Sequence, residues 1–451
     1  MTQIGYLGID VSKGYADFIL LSDSKEPLGK GYKLYDNRKG HEDLFKKLES
    51  AKDKYGLDQI ICGVESTGGY ENNWYNSLSK QEKQLDIVIK RLNPKGVKHQ
   101  GESKMTRTVT DQVSARNISL QLIENKDKIL QYPNPSLEQS QARRYYRYIQ
   151  TLKQQKIAMT NRLEKLVYSS FPELLCYARH GMPNWAIKLL MKYPDHESVT
   201  KARPNSLVKI KGLTQEKIVK LKSLAKNSVG QPTDVLLARA VSSLAQQIVE
   251  ITEKIKEEKQ FLEDHYDSDQ VALVEQTKGI GKYSSIGIVM EVENIERFDS
   301  GAKMSSFFGV HPIFKQSGDG TLKARISKQG STSYRSTIYM AARNVCIHNP
   351  YFKEIYDKFR AKGMNDAQAI GVIMHKLTRV IFGILKSNKP FDPQVDLNNR
   401  NKKLQQQKNK QAEQVEQEKK QILQEVEMIK NAPCSNRTFK RKKAELQPQT
   451  S

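Results

Sequence analysis

Three observations predict an α/β domain at the N-terminus followed by a mainly helical remainder. Residues 1 to about 125 alternate strand-like and helix-like runs. Two apolar runs among them, Tyr6-Leu7-Gly8-Ile9-Asp10 and Ile60-Ile61-Cys62-Gly63-Val64-Glu65, each end in a carboxylate. From about residue 138 the apolar positions recur at helical spacing instead. With 451 residues the chain exceeds what one hydrophobic core sustains, so two or three domains are expected.

The first domain, 1–135, reads as strands over Gly5 to Val11, Ala16 to Leu21, Gly31 to Tyr35, Gln59 to Glu65 and Leu85 to Ile89. Helices are expected near His41 to Lys52, Asn72 to Gln81 and Asp111 to Leu130. Three consecutive strands, then alternating helices and strands, is the order of a ribonuclease-H-like, resolvase-like fold. In such a sheet the first strand lies beside the strand that follows the first helix. Asp10 and Glu65 would then be neighbours at one sheet edge, an arrangement that holds Mg²⁺ for phosphoryl transfer. Solvated cap or turn residues are the competing reading of both acids. Asp111 in Thr110-Asp111-Gln112-Val113-Ser114-Ala115 is a third acid, aimed at the same edge or serving as a helix N-cap.

Residues 136–268 are expected to form a helical region. Tyr145, Tyr148, Leu152 and Ile157, and later Leu236, Val241, Leu244, Ile248, Ile251 and Ile255, follow the three-to-four spacing of long coiled helices. These either dimerise the protein or pair within one chain. Between them Lys209-Ile210-Lys211-Gly212-Leu213-Thr214 opens what reads as a small helix-turn-helix insertion. A third unit, 269–390, begins at Thr277-Lys278-Gly279-Ile280-Gly281-Lys282, a Gly-x-Gly turn of helix-hairpin-helix type whose N–H groups and Lys282 suit a phosphate. Helices follow at Tyr283 to Met290, Ser300 to Phe308, Thr332 to His348 and Ala367 to Lys386. The tail, 391–451, is rich in Gln, Lys, Glu and Asn and reads as disordered or as an isolated helix, with a phosphate-contacting run at Lys440-Arg441-Lys442-Lys443.

The formal net charge of +24, from 74 Lys and Arg against 50 Asp and Glu, favours a polyanionic partner, nucleic acid above all. In Arg143-Arg144-Tyr145-Tyr146-Arg147-Tyr148 the arginines Arg143, Arg144 and Arg147 are expected to contact RNA while the tyrosines pack. Neither a run of about 18 apolar residues nor a secretory n-region and h-region is present, so no membrane association and a cytoplasmic location are expected. Cys62, Cys176, Cys346 and Cys434 lack metal-ligand spacing and read as reduced thiols.

Gly8-Ile9-Asp10-Val11-Ser12-Lys13, Val64-Glu65-Ser66-Thr67-Gly68-Gly69-Tyr70, Asn93-Pro94-Lys95 and the Asp111 segment resemble the N-terminal motifs of the DEDD insertion-sequence transposases, the bridge-RNA-guided recombinases. Gly279-Ile280-Gly281, Arg297-Phe298, Phe308-Gly309-Val310-His311-Pro312, Gln316-Ser317-Gly318, Ile326-Ser327-Lys328-Gln329-Gly330 and Tyr334-Arg335 are similar to that family's C-terminal transposase domain in order and spacing. The resemblance covers most of residues 4 to 387. It implies Mg²⁺, with Mn²⁺ as the alternative, held by Asp10, Glu65 and Asp111, and a nucleophile, Ser317, that joins DNA as a 5′-phosphoserine. It also implies a dimer or tetramer, donor and target double-stranded DNA each paired to a loop of a structured guide RNA, and a nucleoid-associated protein of a prokaryote.

Where the family has a second Asp three residues beyond the third acid, this chain has Ser114. Ser114 acting through a metal-bound water, Glu102 in its stead, three carboxylates alone, or an inactive copy are the alternatives. Independently of the family, a serine nucleophile needs a proton acceptor and nearby cations. Lys315, Lys323, Arg325, Lys328 and Arg335 surround Ser317 in sequence, and a plain turn at Gln316-Ser317-Gly318 is the competing reading. For the whole chain the alternatives are a metal-dependent junction nuclease that uses water, and an inactive RNA-binding derivative. Gly8 to Lys13 also resembles the first phosphate loop of actin-like sugar kinases, against which the strong positive charge argues.

Overall fold

The computed structural model describes residues 3–65, 68–92, 97, 110–125, 136–179, 181–231, 233–313 and 325–431. The chain divides into two compact units, residues 1–135 and 136–451.

The first unit is built on five strands, β1 (Ile4–Ser12), β2 (Tyr15–Leu21), β3 (Tyr32–Tyr35), β4 (Gln59–Glu65) and β5 (Ile87–Leu92), in the order β3-β2-β1-β4-β5. The first three form an antiparallel meander, and β4 and β5 run parallel to β1. This is the strand order expected of a ribonuclease-H-like sheet. Helix α1 (Arg38–Tyr55) makes the crossover to β4; the Asn37 side chain caps its start by accepting from the Gly40 N–H, and Gly56 ends it in the left-handed region. Helices α2 (Asn72–Lys80) and α3 (Glu82–Leu85) precede β5, which starts two residues later than predicted because Asp86, at φ 47°, terminates α3.

Alternation along the strands sorts side chains between the two faces. Leu7, Ile9 and Val11 of β1, Ala16, Phe18 and Leu20 of β2, and Ile60, Cys62 and Val64 of β4 enter one core with Leu44, Leu48 and Trp74. The opposite parity faces α4 (Asp111–Glu124), whose Ile118 and Leu122 pack with Tyr6 and Leu92. Two glycines admit this helix. A Cβ on Gly8 would lie 1.9 Å from the Ala115 carbonyl oxygen, and one on Gly63 would lie 2.7 Å from Leu122 Cδ1. Ser119 Oγ then donates to the Ile19 carbonyl at 2.9 Å and ties α4 to β2. Residues 126–130 of the predicted helix lie outside the described residues.

In the second unit α5 (Leu137–Ser170) lies against a second long helix of the same chain. The buried stripe on α5 runs through Ala142, Tyr146, Ile149 and Leu152 and on to Leu163, Val167 and Ser170, whereas Tyr148 and Ile157 are exposed. The stripe differs from the predicted one because Tyr146 fits against Gly287, where a Cβ would meet its ring at 2.3 Å, and its hydroxyl bonds Thr337. Helices α6 (Asn184–Lys192), α7 (His196–Lys201), α8 (Pro204–Val208) and α9 (Gln215–Lys226) surround Phe171, Leu174, Leu189, Leu207 and Leu221. The predicted small insertion is thus a body with its own core. The second long helix, α10 (Val235–His265), runs antiparallel to α5: its Val241–Ile248 end joins that core, and Ile255 and Leu262 join the next one with Ala142 and Leu152.

That next core gathers α11 (Asp269–Glu275), α12 (Lys282–Val292), α13 (Gly301–Phe307), α14 (Thr332–His348), α15 (Pro350–Ala361) and α16 (Asp366–Ser387). Gly279, at φ 102°, backs onto α14, where a Cβ would lie 2.8 Å from Val345 Cα, so the Gly-x-Gly turn serves close packing. Helix α16 is long and apolar enough to cross a membrane by composition, yet most of it is buried in this body. The tail forms a helix, α17 (Pro393–Asn431), anchored where Asp396 accepts from Tyr351 and Lys376. Cys62 and Cys346 are buried free thiols and Cys176 an exposed one; Cys434 and Lys440 to Lys443 lie outside the described residues.

Gly8→Ala is expected to force α4 off the sheet and to destabilise the first unit by about 1–3 kcal/mol. Denaturant unfolding checks this, and an unchanged midpoint contradicts it.

Candidate functional site

Asp10 sits near the end of β1 with the parity that faces α4. On β4, Val64 pairs with Ile9, which sets Glu65 beside Asp10 on the same face as Gly63. Asp111 opens α4 but does not cap it: Thr110 takes that role, its hydroxyl accepting from the Val113 N–H at 3.3 Å. The Asp111 carboxylate instead accepts from the Tyr15 hydroxyl at 3.3 Å and stands 3.9 Å from Lys33 Nζ. The three acids singled out in the sequence therefore come to one face of the sheet.

A fourth acid joins them that sequence reasoning missed. Asp17 on β2 is the register partner of Asp10 and is 2% exposed, and Lys33 on β3 is in turn the partner of Asp17. Its signal was a lone charge inside the apolar run Tyr15-Ala16-Asp17-Phe18-Ile19-Leu20-Leu21. Ser114, one turn into α4, is half-buried; Glu102 and Asn93-Pro94-Lys95 lie outside the described residues.

Burial raises the Asp10 carboxyl to about 6, with the charges of Asp111, Glu65 and Asp17 adding to it. Burial also raises Glu65. Asp17 is raised by burial in spite of the opposing Lys33 ammonium. Mutually repelling, partly dehydrated carboxylates are what a divalent cation relieves, and an oxygen-only, carboxylate-rich donor set fits Mg²⁺ or Mn²⁺. As the side chains stand, no three His, Cys, Asp or Glu among the described residues are spaced to hold a metal ion. Asp10, Glu65 and Asp111 are the residues that could supply its oxygen ligands.

In the second unit, β6 (Pro312–Ile313) and β7 (Arg325–Ile326) pair antiparallel. Between them lie residues 314–324, with Lys315, Ser317 and Lys323, all outside the described residues. The flanks are braced: Arg335 donates to the Gly330 carbonyl at 2.7 Å and to Thr332 Oγ1 at 3.1 Å. Gly309 and Gly330 sit back to back against the Gln329 and Phe307 carbonyls, with φ of 67° and 125°. Arg325 and Lys328 are exposed there. Lys282 Nζ is 3.9 Å from Asp267 Oδ2.

Of the three arginines on α5, Arg143 bridges Glu291 and Glu293, and Arg147 Nε donates to Glu291 Oε1 at 3.4 Å. Glu291 is 1% exposed; burial alone would raise it, but Arg143, Arg147 and Ser331 hold it below the usual carboxylate range. These two arginines thus neutralise a buried glutamate, while Arg144 is exposed.

Two family models match the chain. Residues 7–172 match one described as the DEDD transposase of the IS110 type, and residues 271–357 one described as transposase, IS116/IS110/IS902 family. A pilin gene-inverting protein of Moraxella bovis is 27% identical over 128 residues, 28% of this chain and 40% of the relative. An insertion element IS116 protein of Streptomyces clavuligerus is 22% identical over 163 residues, 36% of this chain and 41% of the relative. The chain thus spans about two fifths of the length of these relatives. Among solved structures, Thermus thermophilus RuvC in complex with a Holliday junction substrate is similar over 28% of this chain and 95% of that one, at 9% identity and a TM-score of 0.23.

Asp10 titrates at 3.8 when unfolded and at about 6 when folded, so the native state holds its proton longer and stability falls as pH rises between those values. Above that window Asp10→Asn is expected to stabilise the metal-free protein by about 1 kcal/mol, once solvent screening of this partly exposed group is allowed for, and at pH 3.5 to leave it unchanged. Denaturant unfolding in EDTA at pH 7.5 and pH 3.5 checks this; an equal effect at both contradicts it.

Proposed function

The chain belongs to the IS110/IS116/IS902 transposase family, and from that premise we propose that it is an RNA-guided DNA recombinase that cuts and rejoins donor and target DNA of an insertion sequence. The observation that carries this reading is the gathering of Asp10, Glu65 and Asp111 on one face of a ribonuclease-H-like sheet. The net charge of +24 supports a nucleic-acid partner. Gene inversion, for which one relative is named, is itself a cutting and rejoining of DNA.

In the proposed reaction Ser317 Oγ attacks a backbone phosphorus. The Oγ–P bond forms, the P–O3′ bond breaks, the serine proton passes to a base and the departing 3′ oxygen takes one up. Rejoining reverses these changes with a new 3′-hydroxyl as nucleophile. The divalent cation, when bound, neutralises charge that builds on the phosphate. Asp10, Glu65 and Asp111 would hold it, and Arg325 and Lys328, exposed and close to Ser317 in sequence, would contribute further positive charge. Arg144 is the α5 arginine left for RNA, since Arg143 and Arg147 are engaged with Glu291. A structured guide RNA specifies both DNAs, and two or four copies assemble around them in the prokaryotic cytoplasm.

The test is a denaturing gel of the protein incubated with RNA from the element's flank, Mg²⁺ and labelled donor DNA. A covalent adduct is expected in the wild type, lost in Ser317→Ala and reduced at least about a hundredfold in Asp10→Asn. Cleavage without an adduct would replace the recombinase by a water-using junction nuclease. RNA binding with no cleavage would leave an inactive RNA-binding derivative, which Ser114 in place of a fourth acid favours.

A further inference from the structure

Helix α4 carries Ser114 where the family has a fourth acid, yet the first unit does contain a fourth acid on the same face of the sheet. Asp17 stands directly across the β1–β2 ladder from Asp10, so both side chains leave the same side of the sheet. It is 2% exposed, and among the described residues its Oδ2 has no hydrogen-bond partner. A buried, unbonded carboxylate oxygen directly opposite a second carboxylate is unfavourable on both counts. A cation completes such a pair.

Lys33 supplies part of that cation. Its Nζ lies 3.6 Å from Asp17 Oδ2 and 3.9 Å from Asp111 Oδ2, spanning the two acids at ion-pair range but beyond hydrogen-bond range. The ammonium rests 4.0 Å from the centre of the Tyr15 ring, and the side chain is 45% exposed. A flexible four-carbon stem with that much exposure can swing into solvent at little cost. One ammonium also leaves most of the charge of Asp10, Asp17, Glu65 and Asp111 uncompensated, a deficit that suits a divalent ion in its place.

We propose that Asp17 is the fourth carboxylate of the cation site, taking the part that an acid on α4 would play, and that Lys33 is a resident counterion displaced when a divalent cation enters. This rests on the metal-dependent reading above. The cation site would then draw its acids from β1, β2, β4 and α4, and Lys33 would set its affinity by competition.

The experiment is a calorimetric titration of Mn²⁺ into the full-length wild type, Asp17→Asn, Lys33→Met and Asp10→Asn, with circular dichroism to confirm folding. Asp17→Asn is expected to weaken binding at least about tenfold, and Lys33→Met, which keeps the apolar stem and removes the charge, to tighten it severalfold. If Asp17→Asn does not fold, Lys33→Met carries the test alone. Wild-type affinity in Asp17→Asn, or weaker binding in Lys33→Met, overturns the proposal while loss of binding in Asp10→Asn keeps the metal-dependent reading. Absence of Mn²⁺ binding by the wild type at millimolar concentration removes both.

Discussion

The close approach of α4 to the sheet over Gly8 and Gly63 is the contact on which the site depends. Any side chain at Gly8 would occupy the space of the Ala115 carbonyl, and the helix would have to stand farther away. Because it does not, its first residue, Asp111, reaches the Tyr15 hydroxyl and the neighbourhood of Lys33 at the end of the hairpin. The Ser119 bond to the Ile19 carbonyl fixes the helix along its axis. Thr110, by capping α4, leaves the Asp111 carboxylate available to the site. Backbone packing thus places a charge that neither the strand nor the helix would hold by itself.

The result is a concentration of negative charge that folding alone does not favour. Burial and three neighbouring acids push the Asp10 carboxyl up to about 6, while Lys33 stands against Asp17 and Asp111. Groups arranged against local stability in this way mark functional sites more often than structural ones. The second unit handles buried charge in the opposite way: Glu291 is matched by Arg143, Arg147 and Ser331, and its carboxylate is held in the charged form. The contrast separates a glutamate matched by two arginines from a group of acids with one nearby ammonium, Lys33, and with Asp17 Oδ2 unbonded among the described residues.

What the sequence disclosed follows from how local each signal is. Apolar runs ending in acids are written in consecutive residues, so β1, β4, Asp10 and Glu65 were legible, as were Asp111 and the pairing of β1 with β4. Asp17 was not, because its partnership with Asp10 depends on the length of the hairpin joining β1 and β2, which sets the register. The ion pairs of the α5 arginines were hidden for a related reason: Glu291, which pairs with Arg143 and Arg147, lies far along the chain on α12. The buried stripe of α5 was displaced by the fit of Tyr146 to Gly287, a contact that periodicity does not encode. Helix α15 carried no expectation, and the central body proved larger than the insertion its Lys209 to Thr214 run suggested.

The most direct test of the account is anomalous diffraction from crystals of the metal-free protein soaked in Mn²⁺. A peak bounded by Asp10, Asp17, Glu65 and Asp111 oxygens on the face of the sheet that carries α4 is expected, with Lys33 Nζ moved away from Asp17. No peak at millimolar Mn²⁺, or a peak bound elsewhere with the carboxylates and Lys33 unmoved, would contradict it.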